Sequence, residues 1–400
     1  FIINETEPDI CIVQEKFKKN LEEFPLSFYT ETNLEDIIKN QKLDQTPADI
    51  DTNFDDNQTA EIIYTSGSTA FPKGVMLSHK NLIANTKSIV QYLKLTKDDK
   101  VLVVLPFYYC YGLSLVHTHL KVGAAIAFNN TFMFIGTVIN NLKKYKCTGF
   151  SGVPSHFQIL LRKSDTFKKT EFPDLKYVTQ AGGKLHSAFI SEFTESFPKI
   201  KFWVMYGQTE ATARLSYLSP EYLKKKLGSL GKAIPDVTLE LLSESGQEVA
   251  VGDIGEIVAS GNNIMKGYYK DPDLTKKTLK NNKLYTGDLA KKDEDGFFYI
   301  TARKKEIIKV GGERVSPKEI EEVIVNFKNV VDCTIEGVFD EILGEKIKAT
   351  IVVNSINNEK RLKNEILDHC KQFLTTIKVP QEIVFEQKVK VNSAGKKVKH

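Results

Sequence analysis

The residues best suited to chemistry begin in a hydroxyl-rich loop that reads YTSGSTAFPKG over positions 64–74. Glycine lets such a loop turn, and small side chains let a ligand approach the main chain closely. Successive N–H groups, hydroxyls and a lysine ammonium together suit the oxygens of a phosphate. An ordinary turn rich in Ser, Thr and Gly is the simpler interpretation of this loop alone. The candidate phosphate ligands are Thr65, Ser66, Gly67, Ser68, Thr69 and Lys73.

The same loop does not fit a P-loop. That motif has its lysine directly after the second glycine and a Ser or Thr directly after the lysine. Here Lys73 precedes Gly74, and Val75 follows. The apolar residues before the loop predict a strand that leads into it, and Ser78 is a suitable N-cap for a helix beginning near His79.

Two further loops carry candidate nucleotide contacts. The first reads YGQTE over 206–210, where Tyr206 offers a stacking face and Thr209 a hydroxyl. Glu210 suits Mg²⁺, which proteins usually hold with one or two carboxylates plus substrate phosphates. A helix-start residue is the alternative interpretation of Glu210. The second loop reads YTGD over 285–288; its Asp288 can accept hydrogen bonds from two ribose hydroxyls, although exposed turn aspartates are common.

An aromatic cluster lies in the predicted loop after the strand at 101–105; this loop reads PFYYCYG over 106–112. It indicates the wall of a pocket, with ordinary core packing as an almost equally good interpretation. The glycines of QAGGK, over 180–184, let a flat ring lie against the backbone; a plain helix-start turn is the alternative. We expect Arg214 on the surface, with contact to a second anionic group of a substrate as the alternative. The candidate pocket and ring-binding residues are Phe107, Tyr109, Tyr111, Val153, His156, Gly182 and Gly183.

The elements that position these loops alternate between strand and helix. The patterns predict strands at 101–105, 124–128, 150–153, 177–179 and 202–205, and helices at 155–162 and 185–197. Such alternation is typical of a layered α/β domain with a largely parallel sheet. Ligands of such sheets bind beyond the carboxyl ends of the strands, which is where the candidate loops lie.

The pattern changes after Pro220. Shorter alternating strands at 237–242, 256–260 and 297–301 predict an antiparallel sheet or small barrel appended to the α/β layers. Beyond that, a helix from Ser316-Pro317 to Val325, strands at 331–338, 346–353 and 382–385, and a helix at 362–374 predict a small α+β unit. We therefore expect two domains, 1–302 and 303–400.

Composition is typical of a soluble globular protein, with 41% apolar and 26% charged residues. No apolar run is long enough to span a bilayer. The net charge is +4, and lysines concentrate near the C-terminus. They predict a solvated face or attraction of an anionic partner, whereas nucleic acid is disfavoured because no aromatic-interleaved basic stripe occurs. The five cysteines lack a CxxC pair, which indicates reduced thiols and a cytoplasmic protein. No His-rich metal cluster is indicated.

The order of the motifs resembles that of the adenylate-forming enzymes, which include acyl-CoA synthetases, adenylation domains of peptide synthetases and firefly luciferase. Five segments carry the resemblance across nearly the whole chain. They are YTSGSTAFPKG at 64–74, YGQTE at 206–210, YTGD at 285–288, RKKEIIKVGGERVSP at 303–317 and SAGKK at 393–397.

The resemblance implies a role for each motif. The loop at 64–74 would hold the β- and γ-phosphates of ATP, and Thr209 would lie at the α-phosphate. Glu210 would bind Mg²⁺, and Lys396 would reach into the site during adenylation, with Lys397 as the alternative if the register differs by one residue. The remaining implied positions are the adenine slot (Gly182, Gly183, Tyr206, with Gly207 beside it), the ribose contacts (Asp288, Arg303), the hinge (Lys305) and the thiol tunnel (Gly311, Gly312).

The chain departs from the family pattern at several positions. Ala70 stands where the phosphate loop usually has glycine, and Tyr109 stands where many acyl-CoA synthetases have histidine. No aspartate follows Phe107, which argues against an α-amino acid substrate. The sequence begins with Phe1, and the segment before the phosphate loop is shorter than is usual. We therefore expect the first domain to be truncated at its start.

The resemblance implies an enzyme that converts a small carboxylic acid and ATP into an acyl adenylate and pyrophosphate, and then transfers the acyl group to a thiol. Coenzyme A is the expected acceptor, and the phosphopantetheine of an acyl carrier protein is the alternative. A non-catalytic nucleotide-binding homologue is the alternative from another class. The identity of the acid is not apparent from the sequence.

Overall fold

The computed structural model describes residues 1–21, 23–40, 53–65, 71–129, 131–356, 358–392, 395 and 397. Contacts divide the chain into two compact units, Phe1–Asp55 and Asp56–His400. None of the helices in these described ranges has the length and apolar character needed to cross a membrane. Residues 303–400 fall within the second unit, so the domain boundary after residue 302 stays a prediction, as does motion of the part beyond it.

The first unit is small. Its elements are α1 (Ile2–Thr6), β1 (Ile10–Val13), β2 (Ser27–Thr30) and α2 (Glu31–Asn40). The two strands pair in parallel, with Ile10 opposite Ser27.

The second unit begins with a hairpin and then alternates strand and helix, as the sequence predicts. Its first elements are β3 (Thr59–Thr65), β4 (Lys73–Ser78), α3 (His79–Leu93), β5 (Lys100–Val103), α4 (Cys110–Val122), β6 (Ala125–Phe128), α5 (Ile135–Lys144), β7 (Gly149–Gly152), α6 (Pro154–Arg162), β8 (Tyr177–Gln180), α7 (Ser187–Ser196) and β9 (Lys201–Tyr206). Ser78 caps α3 as predicted: its hydroxyl accepts from the Asn81 amide at 3.2 Å.

One prediction in this region needs correction. The aromatic segment 106–112 is not entirely a loop, because α4 begins at Cys110. Tyr111 and Gly112 are therefore helical. Gly112 lies against the preceding turn so closely that a Cβ there would be 2.3 Å from the Pro106 carbonyl oxygen.

Shorter strands follow. They are β10 (Ser216–Leu218), β11 (Lys232–Ala233), β12 (Val237–Leu242), β13 (Gly255–Gly261), β14 (Gly267–Tyr268), then α8 (Pro272–Thr278), β15 (Leu279–Lys280), β16 (Lys283–Lys292) and β17 (Phe298–Arg303). The last part of the chain contains β18 (Ile308–Val310), β19 (Glu313–Val315), α9 (Pro317–Val325), β20 (Val330–Asp340), β21 (Gly344–Val353), α10 (Glu359–Phe373) and β22 (Glu382–Glu386).

The central sheet has seven strands in the order β11-β10-β9-β8-β7-β5-β6. The run from β6 to β9 is parallel, and β10 and β11 extend it in antiparallel fashion. Its inner strands β5, β7 and β8 are buried along nearly their whole length, which is typical of parallel strands in the middle of a layered α/β sheet. On β9, Trp203, the only tryptophan of the chain, packs beside a stacked pair of tyrosines. The rings of Tyr92 and Tyr217 stack with centroids 4.1 Å apart, and the Trp203 ring is tilted against both at 5.8 and 5.7 Å.

Three further sheets lie in the described part of this unit, and they confirm the predicted fold class. Strands β12, β13, β16, β15 and β17 form an antiparallel sheet. Strands β14, β4 and β3 form a three-stranded antiparallel sheet. The terminal sheet has the order β19-β18-β21-β20, with β22 parallel to β21, and α9 and α10 pack with it into an α+β arrangement.

Candidate functional site

The hydroxyl-rich loop connects the two strands of a hairpin. Strands β3 and β4 pair so that Thr65 lies opposite Lys73, which places both candidate phosphate ligands at the mouth of the loop. Ser66, Gly67, Ser68 and Thr69 lie outside the described residues.

Glycine is needed at the base of this hairpin for packing. A Cβ at Gly74 would lie 2.9 Å from the Cγ2 atom of Ile62, closer than ordinary side-chain contacts allow. Gly74 also accepts a hydrogen bond from the Tyr269 amide at 2.7 Å, which ties the hairpin to the residues just after β14.

Tyr268 connects the hairpin to the predicted magnesium ligand. Strand β14 places Tyr268 opposite Val75 of β4. The Lys73 ammonium lies 5.9 Å from the centroid of the Tyr268 ring, and the Tyr268 hydroxyl donates to Oε1 of Glu210 at 2.8 Å. Burial and then the Glu210 carboxylate raise the pKa of Tyr268, so it remains a donor at neutral pH. Tyr268 was not among the predicted site residues; its only local signal is the Gly-Tyr-Tyr run after Lys266.

The surroundings of Glu210 fit a magnesium ion. Its half-buried carboxylate uses one acceptor position for Tyr268, and a carboxylate has about four such positions in all. Within the described ranges, no group of three His, Cys, Asp or Glu side chains forms a metal site. A single carboxylate supplemented by phosphate oxygens is the arrangement that Mg²⁺ commonly adopts. Thr209, beside it, is buried and donates to Sγ of Cys110 at 3.4 Å.

The predicted ribose contacts are in direct contact with each other. Asp288 lies opposite Arg303 in the β16–β17 pair. Its Oδ1 atom accepts from Nε of Arg303 at 2.9 Å, and its Oδ2 atom accepts from the Tyr206 hydroxyl at 2.7 Å. Asp288 is buried. Burial and the neighbouring Asp288 raise the pKa of Tyr206, so its hydroxyl stays protonated and continues to donate.

The loops after β8 and β9 lie side by side because Gln180 pairs with Val204. Gly182 has φ +85°, a left-handed conformation that favours glycine. The side-chain amide of Gln180 donates to the Gly183 carbonyl at 2.8 Å and braces this turn. Gly207 packs against main chain, since a Cβ there would lie 2.0 Å from the Ala213 carbonyl oxygen.

The candidate acid pocket is divided between two helix starts. At α4, Tyr111 is buried, and its hydroxyl donates to the Thr179 carbonyl at 2.9 Å. At α6, Val153 and His156 are buried, and the His156 ring stacks on Phe132 with centroids 4.0 Å apart. Burial lowers the pKa of His156 to about 3, so the ring is neutral at physiological pH.

The other two aromatic candidates are more accessible. Tyr109 is half-buried, and Phe107 is partly exposed, with its ring packed edge-on against Phe128 at 5.6 Å. Tyr111 thus serves core packing, which was the alternative for this cluster. Pocket roles for all five candidates remain predictions.

We expected Arg214 on the surface, but its side chain is buried and only 2% exposed. Its guanidinium lies 4.2 Å from the centroid of the Tyr111 ring, and its Nε donates to Sδ of Met205 at 3.2 Å. A surface role is therefore wrong, because this side chain packs beneath the start of α4.

The paired glycines near the predicted hinge form a turn. Gly311 and Gly312 connect β18 to β19 and have φ values of +56° and +88°. Two successive positive φ values are typical of a type I′ hairpin, which explains the glycines without a ligand. A Cβ at Gly312 would meet nothing within 4 Å, so there is room beside this turn. The hinge role of Lys305 and the tunnel remain predictions.

The predicted catalytic lysine, Lys396, lies outside the described residues, but its two neighbours are described. The carbonyl oxygen of Gly395 accepts from the Ser155 hydroxyl at 2.6 Å. The Lys397 ammonium lies 3.0 Å from Oδ2 of Asp332. The terminal segment therefore contacts the start of α6, beside Val153 and His156.

Two family descriptions match this chain. Residues 1–269 match the AMP-binding enzyme family, and residues 319–396 match the AMP-binding enzyme C-terminal domain. The putative acyl-CoA synthetase YngI of Bacillus subtilis (strain 168) is 33% identical over 347 residues, which are 86% of this chain and 62% of that protein. The chain spans 60 to 65% of the length of three curated relatives that it matches.

Solved structures are similar over almost the entire chain. ATP-bound MatB from Rhodopseudomonas palustris has a TM-score of 0.87 and 26% identity, covering 98% of this chain and 78% of that one. O-succinylbenzoate coenzyme A synthetase (MenE) from Bacillus subtilis, in complex with ATP and a magnesium ion, has a TM-score of 0.83 and 25% identity, covering 99% of this chain and 79% of that one.

Proposed function

Because the chain belongs to the AMP-binding enzyme family, we propose that it activates a carboxylic acid with ATP and transfers the acyl group to the thiol of coenzyme A. One observation supports this most. The contacts from Lys73 through Tyr268 to Glu210 continue, by way of the loop 206–210, into the contacts among Tyr206, Asp288 and Arg303. This continuity supports a single site formed by the Lys73 cation, the predicted magnesium ligand Glu210 and the predicted ribose acceptor Asp288.

The proposed first step makes the carboxyl group reactive. A carboxylate oxygen attacks the α-phosphorus of ATP, the bond from that phosphorus to the bridging oxygen breaks, and pyrophosphate leaves. The protein mainly positions the reactants and offsets the charge that develops. Lys73 supplies positive charge near the phosphate loop, and Asp288 accepts from the ribose hydroxyls. Mg²⁺ held at Glu210 would neutralise part of the triphosphate charge.

The proposed second step forms the thioester. The sulfur of the thiol, having lost its proton, attacks the acyl carbon, and AMP leaves with the electron pair of the broken bond. Coenzyme A is favoured as acceptor because relatives are named as CoA ligases, for example the oxalate–CoA ligase of Arabidopsis thaliana. A second assay, in which a carrier-protein phosphopantetheine replaces coenzyme A, tests the other acceptor.

The acid itself is best found by a panel screen that reads pyrophosphate release. Acid-dependent exchange of labelled pyrophosphate into ATP is the result expected of this function. Binding of ATP without exchange for any acid in the panel would instead favour a non-catalytic nucleotide-binding protein.

Removal of the Lys396 ammonium should separate the two steps. We expect Lys396→Ala to slow adenylate formation by roughly a hundredfold, since losing one such charge contact costs about 3 kcal/mol. Thioester formation from supplied acyl adenylate should change little. Lys371→Ala is the control, because Lys371 pairs with Asp368 on an exposed face of α10 at 3.0 Å. Equal loss of both half-reactions in Lys396→Ala would contradict this role.

A further inference from the structure

The residue two positions after Glu210 has a strained backbone. Thr212 has φ +66° and ψ −58°, and across it the Ala213 amide donates to the Ala211 carbonyl at 2.7 Å. These dihedral angles and this hydrogen bond define a γ-turn of the rare type with positive φ. Positive φ is uncommon for residues other than glycine, and for a β-branched residue it is an outlier. Thr212 therefore needs other contacts to hold it in this conformation.

Asn263 supplies those contacts. Its side chain is 1% exposed and lies in the segment between β13 and β14. Its amide nitrogen donates to the Ala211 carbonyl at 3.3 Å and to the Arg214 carbonyl at 2.9 Å. The Thr212 hydroxyl in turn donates to the Asn263 carbonyl at 2.7 Å. The γ-turn is thus bonded to this segment on both sides and at its centre.

Helix α3 holds both the γ-turn and the segment that braces it. The side-chain amide of Asn81 donates to the carbonyls of Asn262 and Ile264, each at 2.8 Å. The side-chain amide of Asn85 donates to the Arg214 carbonyl at 3.0 Å. Both asparagines are buried. Because buried carbonyl oxygens need a donor, a shift of the turn would leave buried polar groups without their partners.

The braced turn fixes the main chain of Glu210. The Glu210 carbonyl accepts from the Met265 amide at 2.9 Å, so the segment that contains Asn263 contacts residues 210–214 from one end to the other. The Glu210 side chain is bonded to the Tyr268 hydroxyl at 2.8 Å. Main chain and side chain of Glu210 are therefore both tied to the segment between β13 and β14 and to β14 itself.

The choice of threonine at position 212 indicates what the turn is for. Backbone strain of this kind persists only where the surrounding structure enforces it, and it is concentrated at active sites. Glycine would adopt the same φ without strain, but it has no hydroxyl to donate to Asn263. Mg²⁺ demands near-ideal octahedral geometry, so a carboxylate that binds it must point in a fixed direction. The strained, hydroxyl-bearing residue meets that requirement for Glu210.

We propose that Thr212 and Asn263 are positioning residues for the magnesium site at Glu210. They act through the γ-turn, which sets the direction of the Glu210 carboxylate, and not by contact with the ion. This inference rests on the proposed function, because the ion concerned is the one that accompanies ATP.

The Mg²⁺ dependence of acid-dependent pyrophosphate exchange tests this role. Thr212→Val replaces the hydroxyl with a methyl group of similar size. We expect it to raise the Mg²⁺ concentration for half-maximal exchange at least about tenfold, as the loss of a residue that orients a metal ligand typically does. The rate at saturating Mg²⁺ should be nearly unchanged, because the carboxylate itself is retained. Thr212→Ser keeps the hydroxyl and should restore the response to Mg²⁺.

Thr194→Val is the matched control. The half-buried Thr194 hydroxyl donates to the Ile190 carbonyl at 3.0 Å within α7, so the same substitution removes a similar hydrogen bond without touching the γ-turn. An unchanged Mg²⁺ requirement in Thr212→Val, or an equal rise in Thr194→Val, would overturn the proposal.

A measurement that needs no activity separates failure of this role from failure of the proposed function. The Met265 amide is bonded to the Glu210 carbonyl, so its hydrogen exchange reports whether the turn still holds Glu210. We expect this amide to exchange at least about tenfold faster in Thr212→Val and in Asn263→Ala than in the parent protein. In Thr212→Ser it should exchange at nearly the parent rate.

The Arg361 amide at the start of α10, which donates to Asn358 at 3.0 Å, is the internal reference and should exchange at the same rate in every variant. Unchanged protection of Met265 in both Thr212→Val and Asn263→Ala contradicts the positioning role, whether or not any acid is activated. Faster exchange of Met265 supports it even if no acid is activated, and in that case the proposed function alone fails.

Discussion

Asp288 is the residue on which the nucleotide side of the site depends. Its buried carboxylate accepts one hydrogen bond from Tyr206 and one from Arg303, so both oxygens have fixed directions. Hydrogen bonds to a charged group are stronger than neutral ones, at about 1.5–3 kcal/mol each. The carboxylate is therefore held in place before a ligand arrives.

Asp288→Asn should weaken AMP and ATP binding roughly tenfold to a hundredfold, because the amide replaces an acceptor with a donor that faces Arg303 or Tyr206. Titration calorimetry with AMP measures this directly. Asp293→Asn is a close control, since Asp293 also accepts from a cation and a tyrosine, Lys226 at 2.8 Å and Tyr299 at 3.1 Å, outside the site. If Asp288→Asn and the parent protein bind AMP equally tightly, Asp288 does not contact the ribose.

At this scale the sequence predicted residues within motifs and missed those that act across the fold. Asp288 and Arg303 were predicted and lie opposite each other. Tyr268 was not, because its contact with Glu210 joins positions 58 residues apart through the pairing of β14 with β4. Arg214 was misplaced because a charged side chain after a polar loop is usually solvated.

Among the elements, the turn after β9 depends on close approach of two main-chain segments. Gly207 lies against Ala213 with no room for a side chain. Because the contact is with a carbonyl oxygen rather than a flexible side-chain end, the backbone itself would have to move.

Gly207→Ala should lower the free energy of unfolding by about 1–3 kcal/mol, as expected for overpacking, and weaken nucleotide binding by shifting Tyr206. Urea unfolding measures the first effect. The matched control is Gly136→Ala in α5, where a Cβ would meet nothing within 4 Å. That change should stabilise the protein slightly, since alanine is favoured over glycine in helices by roughly 0.5–1 kcal/mol. If both variants have the same stability, the close contact at Gly207 is not important.

Element positions were predicted well where periodicity was strong. The predicted helix 155–162 is α6 (Pro154–Arg162), and the predicted strand 331–338 is β20 (Val330–Asp340). The start of α4 was missed because its aromatic residues show no helical spacing. The resemblance assigns Gly311 and Gly312 to a thiol tunnel, which stays a prediction; the structure places both glycines in the turn between β18 and β19.

For the whole molecule, acid stability is expected to follow the buried carboxylate of Glu321, on α9. Burial opposes ionisation of Glu321, but Lys318, then Lys397 and His186, outweigh it and lower its pKa from 4.5 to about 2. A group with a lowered folded-state pKa stabilises the protein above its unfolded pKa and loses that contribution as pH falls through the folded value.

The stability difference between the parent protein and Glu321→Gln should therefore be constant above about pH 4.5 and shrink towards about pH 2. Unfolding free energies measured across this range test it. Glu319→Gln removes a carboxylate of the same helix that is paired with Lys378 at 2.7 Å but is half-exposed; a change within about 1 kcal/mol is expected there. A pH-independent difference for Glu321→Gln would show that its charge does not stabilise the fold.

The layered architecture followed from alternating strand and helix patterns, because each pattern is local. The assembly of the smaller sheets could not be predicted in this way. The pairing of β4 with β14 joins Met76 to Gly267, and no local periodicity indicates which distant segment completes a short hairpin. The contact between Gln158 and Asp332 likewise joins residues that are 174 positions apart in the sequence.

The position of Trp203 gives the protein a built-in optical reporter. It is the sole tryptophan, it packs against two stacked tyrosines, and its strand ends at Tyr206, the donor to Asp288. Light at the long-wavelength edge of the absorption band excites tryptophan but not tyrosine, so the resulting emission would come from the Trp203 ring alone. Fluorescence can thus follow events at the loop after β9 in real time, without a label and without knowledge of the acid.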